Sequence, residues 1–113
     1  MHELSIVQSI IDIAESEVRK AGAHSVESIE LEIGDLAGVE FSALDFAWDV
    51  AVRHTVLERA ERKIRHVKGS ARCSDCGQEF IMKQLFDSCP SCGQYFNEIL
   101  QGKELKVRAL VVI

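Results

Sequence analysis

The chain has 113 residues, 47% of them hydrophobic and 27% charged, with a formal charge of −5 at pH 7. That length and mixture suit one domain, or one domain carrying a small metal-stapled lobe, and exclude extended disorder. The acidic balance argues against broad binding to nucleic acid or anionic membranes, where lysine and arginine neutralise phosphates. No apolar stretch approaches the roughly 20 residues that span a bilayer.

Residues 4 to 21 predict an amphipathic helix, because Leu4, Val7, Ile11, Ala14, Val18 and Ala21 recur at three- and four-residue steps. Ser5 and Gln8 have the spacing of a capping box, so the first regular turn is expected near Ser5, with Met1 to Glu3 as a short lead-in. Gly22 stands where the helix should end. The start lacks a basic n-region, and Asp12 and Glu15 interrupt the apolar positions that follow, so a signal peptide is not expected and the chain is placed in the cytosol.

From Val26 to Ile33 the period falls to two, with Ile29, Leu31 and Ile33 alternating with Glu30 and Glu32, which predicts a strand with one buried face. Gly34 and Gly38 bracket a loop. A second helix is expected from about Glu40 to His54, turning Phe41, Leu44, Trp48, Ala51 and Val52 inward and Asp45 and Asp49 outward. Ala60 to Val67 is charged and loosely alternating, and reads as a strand. Glu104 to Val112 alternates again, with Leu105, Val107, Ala109 and Val111 on one face.

Between them, residues 71 to 100 hold all four cysteines, the one proline and two of the seven glycines. The expected fold is α+β: two helices packed on a small three-stranded sheet, with a four-cysteine, zinc-ribbon-like lobe inserted before the last strand. The corresponding division is residues 1–69 plus 101–113 for the α+β domain and 70–100 for the lobe.

Cys73-Ser74-Asp75-Cys76-Gly77 is followed by Cys89-Pro90-Ser91-Cys92-Gly93, with 12 residues between Cys76 and Cys89. A two-residue gap lets both thiolates of a knuckle face one ion, and the following glycine permits the tight turn that aims amide N–H groups at sulfur. Two knuckles supply four soft ligands, the tetrahedral set preferred by Zn²⁺. Disulfides are disfavoured in a reducing cytosol, and a thioredoxin-type CxxC opens a helix where these open glycine turns. Iron in the same cage would make a rubredoxin-like electron carrier, and spacing alone leaves that alternative open. With four protein ligands the metal keeps no open position, so its expected task is to fold the lobe.

At the other end, Met1-His2-Glu3 offers an α-amine, the amide nitrogen of His2 and an imidazole that can close adjoining chelate rings around one ion, provided the amide loses its proton. Such a set favours a square-planar ion, Ni²⁺ or Cu²⁺, over Zn²⁺. The amide of Glu3 or a carboxylate could fill the fourth place.

Met-His-Glu at the start, Glu32-Ile33-Gly34 in the first strand, Gly38-Val39-Glu40 before the second helix, the paired CxxC knuckles, and Gly102 to Leu105 before the last strand together resemble the HypA/HybF family of hydrogenase-maturation nickel metallochaperones. The resemblance covers the whole chain. It implies Ni²⁺ as cargo at His2 with the backbone of His2 and Glu3, and Zn²⁺ at Cys73, Cys76, Cys89 and Cys92. Glu40 matches a position where some members place a carboxylate near nickel. It also implies a GTPase partner that helps load nickel into the [NiFe]-hydrogenase large subunit, and leaves open whether urease is also supplied. His54, where the family often has glycine, and Lys68, where it often has proline, depart from the pattern.

The other histidines, His24, His54 and His66, read as surface residues, Asp45, Asp49 and the 58–63 charge run as solvated faces, and Trp48 and Phe41 as core. No nucleophile with an adjacent base, phosphate-binding glycine loop or open metal site is present, so turnover is not expected. The competing reading is a zinc-ribbon module for nucleic acid or a transcription partner, supported by Arg62, Lys63, Arg65 and Lys68 and opposed by the acidic balance. The sequence carries no signal for oligomeric state.

Overall fold

A computed structural model describes residues 2–113 of the chain. Helix α1 runs Glu3–Lys20 and buries one stripe, Val7, Ile10, Ile11, Ala14 and Val18. It begins before the position that the Ser5–Gln8 spacing suggests. His2 is the N-cap, without a side-chain capping bond, and the Ile6 N–H already donates to the His2 carbonyl. Ser5 lies inside the helix and its carbonyl accepts the Ser9 hydroxyl at 3.0 Å, so the capping-box spacing is coincidental. Glu3 in the first turn and Arg19 and Lys20 in the last complement the helix dipole. At the two ends Leu4 and Ala21 are exposed and fall outside the buried stripe.

Strand β1 is Val26–Gly34, with Val26, Ile29, Leu31, Ile33 and Gly34 buried. Helix α2, Phe41–Ala51, packs on α1 through a face that includes Leu44, Ala47 and Trp48. Full burial of a leucine such as Leu44 stabilises by about 1.5–3 kcal/mol. The Glu40 carboxylate caps α2 by accepting from the Ser42 N–H at 3.1 Å and the Ser42 hydroxyl at 2.6 Å. The helix stops at Ala51, short of the expected His54, because Val52 is the C-cap and His54 has turned into the left-handed region at φ 64°. Phe41 and Ala51 are half-buried, whereas Asp45 and Asp49 are exposed as expected.

Strand β2, Glu61–Val67, and the last strand β6, Leu105–Val112, flank β1 in a three-stranded sheet ordered β2-β1-β6. Ser25 and Ile113 exchange backbone bonds at the start of β1, and the Gly34 N–H donates to the Glu104 carbonyl at its end, so β1 and β6 run antiparallel. The inward parity of β6 shifts along its length. Leu105 and Val107 are half-buried as expected, but Leu110 and Val112 take over from Ala109 and Val111, both exposed, because Arg108 and Ala109 are outward in succession.

A second sheet, ordered β4-β3-β5, is built from β3 Ser70–Cys73, β4 Glu79–Ile81 and β5 Asn97–Gln101, all antiparallel. Ala71 faces Phe80 on one side and Ile99 on the other, and these pack with Leu36 and Met82 into a small core. The next position along β3 carries Arg72, which pairs with Glu79 and Glu98. One face of this sheet is therefore apolar and the other ionic. Gly34 is required by close approach, since a Cβ there would lie 1.9 Å from the Gly102 carbonyl oxygen.

The chain divides into two compact units. One comprises Met1–Leu31, Val39–Ile64 and Val107–Ile113, the other Glu32–Gly38 and Arg65–Lys106. Among the described residues, no helix is long and apolar enough to cross a membrane.

Candidate metal centre

The two cysteine knuckles have the same local construction. The Gly77 N–H returns to the Cys73 carbonyl at 3.1 Å and the Gly93 N–H to the Cys89 carbonyl at 2.8 Å, both glycines lying in the left-handed region at φ 75° and 78°. A side chain at either position would strain the turn. The tightened backbone points amides at sulfur: the Cys76 N–H reaches Cys73 Sγ at 3.5 Å and the Ser91 N–H reaches Cys89 Sγ at 3.4 Å. The leading cysteine of each knuckle is buried and the trailing one exposed.

The four Sγ atoms lie within 4.8 Å of one another. Cys73 and Cys92 are 3.4 Å apart, and Cys76 and Cys89 3.7 Å. A tetrahedral ion with metal–sulfur bonds of about 2.3 Å spaces its ligands by about 3.8 Å. The donor set thus fits a tetrahedral metal of the zinc type, with every position filled by protein.

The thiols are not equivalent. The Cys76 amide, aided by that of Asp75, pulls Cys73 down to about 7, making it the first thiolate. The Gln94 amide favours the Cys92 thiolate, but the neighbouring Cys73 sulfur and burial outweigh it and push Cys92 up to about 12. Cys76 is likewise raised, the Gln78 amide being outweighed by burial and by the Cys89 and Cys73 sulfurs. Four sulfurs this close cannot all ionise without a cation between them.

Side chains beyond the ligands tie the knuckles together. The Gln94 amide donates to the Asp75 carboxylate at 2.7 Å, bridging the two cysteine segments. The Ser74 hydroxyl donates to the Phe96 carbonyl. Neither bridge is visible in the CxxC spacing itself.

The N-terminal candidates are arranged differently. His2 is exposed at the head of α1, and its imidazole is not used as a cap. The amides of His2 and Glu3 belong to the first turn, where N–H groups have no partner within the helix. The Glu3 carboxylate crosses to α2 and accepts the Glu40 N–H at 3.1 Å. That bond, with its own backbone N–H, lowers the Glu3 carboxyl below its ordinary value; the Ser42 hydroxyl and N–H do the same for Glu40. The fold therefore brings Glu3 and Glu40 together, although they are 37 positions apart. Among the described residues, the side chains of His2, Glu3 and Glu40 do not gather ligand atoms as the cysteines do. Met1 lies outside the described residues.

His24, His54 and His66 are all exposed. Of the basic residues that favour a nucleic-acid reading, Arg62 pairs with Asp45 and stacks 5.2 Å from the Trp48 ring centre, and Arg65 lies 3.7 Å from Glu32. Two of those four cations are thus already engaged by the chain's own carboxylates.

A family model described as hydrogenase/urease nickel incorporation, metallochaperone, hypA, matches residues 1–112. The chain is 50% identical over 113 residues to a hydrogenase maturation factor HypA of Parabacteroides distasonis, covering 99% of this chain and 97% of that one. It is 43% identical over 112 residues to the namesake of Geobacter metallireducens, with 99% of each covered. Among solved structures, it is similar to the solution structure of the Ni metallochaperone HypA from Helicobacter pylori, at 28% identity and a TM-score of 0.70, covering 100% of this chain and 98% of that one.

Proposed function

This chain belongs to the HypA family and is a nickel metallochaperone of hydrogenase maturation; from that premise we propose that Ni²⁺ is carried at the head of α1 while Zn²⁺ is held structurally by Cys73, Cys76, Cys89 and Cys92. The observation that carries this division is the contrast in donors: four converging sulfurs at one place, and helix-start amides without a partner inside the helix beside an exposed imidazole at the other.

The first-turn amides of His2 and Glu3 can lose their protons to a metal without breaking a helical hydrogen bond. A bare cation is disfavoured by the positive end of the helix dipole, and deprotonated amides remove that penalty by bringing negative charge with them. Glu3 and Glu40 add carboxylate charge at the same end of the pair of helices. In this reading Met1 contributes its amine, His2 its amide and imidazole, and Glu3 its amide, with Glu40 close by. Nitrogen donors of this kind select square-planar Ni²⁺ over tetrahedral Zn²⁺.

The cysteine site suits a resident ion. Zinc bound there supplies the charge that lets four thiolates coexist, and the residues of the lobe do the rest: the glycine turns aim amides at sulfur and the Asp75–Gln94 bridge fixes the knuckles. No position is left for substrate, so the chain delivers metal without turnover. Its partners are then a maturation GTPase and the [NiFe]-hydrogenase large subunit, with urease as a further recipient, and it works in the cytoplasm without binding nucleic acid or membrane.

X-ray absorption on protein loaded with one Ni²⁺ and one Zn²⁺ tests the assignment. Nickel surrounded by nitrogen and oxygen in a planar array, with zinc surrounded by four sulfurs, is the expected result. Nickel spectra dominated by sulfur would place the cargo in the cysteine cage and overturn it.

A further inference from the structure

We propose that an apolar groove on the cysteine lobe is a docking site for an extended segment of a partner protein, one in which a large apolar side chain is followed by a carboxylate. The groove has a volume of about 300 Å³ and is walled by Met82, Leu85, Phe86, Tyr95, Phe96 and Ile99, with Lys103 at its edge. Three of these aromatic rings stand in solvent: Phe86 is 80% exposed, Phe96 78% and Tyr95 65%. Aromatic side chains clustered on one exposed surface mark interaction sites more often than isolated ones do.

The walls are built, not floppy. Phe86 sits in the left-handed region at φ 69°, a conformation bulky residues rarely adopt unless their surroundings impose it. The imposing contacts are local. The Asp87 carboxylate accepts from the Lys83 and Gln84 amides at 3.0 and 3.1 Å, closing the loop that presents Phe86. The Asn97 amide donates to the carbonyls of Asp87 and Gln94, joining that loop to the one that presents Tyr95 and Phe96. Gln94 Oε1 accepts from the Tyr95 and Phe96 amides, and the Ser74 hydroxyl from the other knuckle holds the Phe96 carbonyl. A surface held in this way meets a ligand without an ordering cost.

Size, edge and charge identify the occupant. The volume lies at the bottom of the roughly 300–1,000 Å³ range of small-molecule pockets, enough for one bulky anchor side chain. Strand β5, which contributes Asn97 and Ile99 to the groove, is an edge strand of its sheet, open to an added extended chain. Lys103 has no ion-pair partner among the described residues, and no carboxylate lines the groove, so its mouth is cationic on a chain of net charge −5. A carboxylate beside the anchor completes that pattern. A second copy docking by twofold symmetry would bring Lys103 against Lys103 and is disfavoured.

The walls are tied to the cysteine knuckles, so a metal held by the four cysteines would steady the recognition surface. The inference rests on the lobe alone and not on the nickel reading.

Its test uses the full, metal-loaded chain and three fluorescein-labelled heptapeptides: one with Leu-Phe followed by Asp-Glu, one with Ala-Ala for the apolar pair, and one with Lys-Lys for the acidic pair. Fluorescence anisotropy should show the first binding at least about tenfold tighter than the others, a difference of about 1.4 kcal/mol. Lys103→Glu should shift the preference towards the lysine peptide, and amide shifts should cluster at residues 82–86, 95–99 and 103. Equal binding of all three peptides, no binding at millimolar concentration, or an unchanged preference in Lys103→Glu would overturn the proposal. So would concentration-dependent self-association that Phe96→Ser abolishes at full metal content, which would give the groove to a second copy. Nickel stoichiometry in Lys103→Glu should be unchanged, so a loss of peptide binding is separable from a failure of the nickel assignment.

Discussion

In the cysteine lobe, the four candidate ligands come from two short stretches whose local turns aim amides at sulfur; at the head of α1, the Glu3 carboxylate meets the Glu40 amide, 37 positions away, only because α1 and α2 have packed. The first site is written in local spacing, and its crowded sulfurs would need a cation among them before all could ionise. The second is written in helix packing and stands without one. A resident metal suits the former and a transferable one the latter, since a site supported by its own hydrophobic contacts survives the departure of its cargo.

The strongest way to break the comparison is to remove one sulfur. Cys89→Ala should abolish metal binding in the lobe and collapse the amide dispersion of residues 70–101, because structural zinc contributes an apparent 10–16 kcal/mol or so in small zinc domains. The helical signal of α1 and α2 should persist. Metal analysis with two-dimensional NMR decides the matter, and a variant that keeps both its metal and its dispersed lobe would show the cage to be dispensable.

The converse change strikes the packed helices. Leu44, fully buried on α2, should cost about 2–5 kcal/mol when replaced by alanine, through lost burial and the cavity left behind. Chemical denaturation should register that loss while lobe metal content stays at the wild-type level. A drop in metal content of the same proportion would mean that the two regions do not support their sites independently.

How much of this was legible beforehand follows the same contrast. The CxxC-Gly spacing announces both knuckles, and the three- and four-residue period of Val7, Ile11, Ala14 and Val18 announces the stripe of α1. The start of α1 was not legible, because Ser5 and Gln8 match a capping box by spacing alone. The lobe sheet was hidden because β4 has only three residues and β3 four, too few for a period to emerge. The shift of parity in β6 defeats any reading that carries one alternation from Leu105 to Val111. The Glu3–Glu40 tie and the Asp75–Gln94 bridge are facts of tertiary structure, with no motif to signal them.

A smaller effect sharpens the account of α2. His54 holds φ 64° just beyond the helix, where its N–H donates to the Glu58 carboxylate at 2.8 Å. The backbone bond does not need the imidazole, so His54→Gly should stabilise the chain by about 0.5–1 kcal/mol, left-handed strain relief exceeding the extra freedom of the unfolded chain. A lowered melting temperature would instead assign the imidazole a stabilising role.

Acid should separate the regions by degrees. Glu3 has a folded-state value below its ordinary 4.5, so its tie to Glu40 is complete above that pH and is lost as pH falls through the lowered value. The lobe should respond earlier, since protons compete with metal for thiolate. Following the Glu40 amide shift alongside metal release should give two transitions, the lobe's at the higher pH. A single shared transition would merge the sites that the comparison keeps apart.

The most direct test counts both metals in zinc-loaded protein titrated with nickel, wild type against His2→Ala. The account requires that the variant lose its tight nickel equivalent while retaining one zinc per chain and an unchanged melting curve. Undiminished nickel binding in His2→Ala, or zinc lost together with nickel, would contradict the separation of cargo site from structural cage.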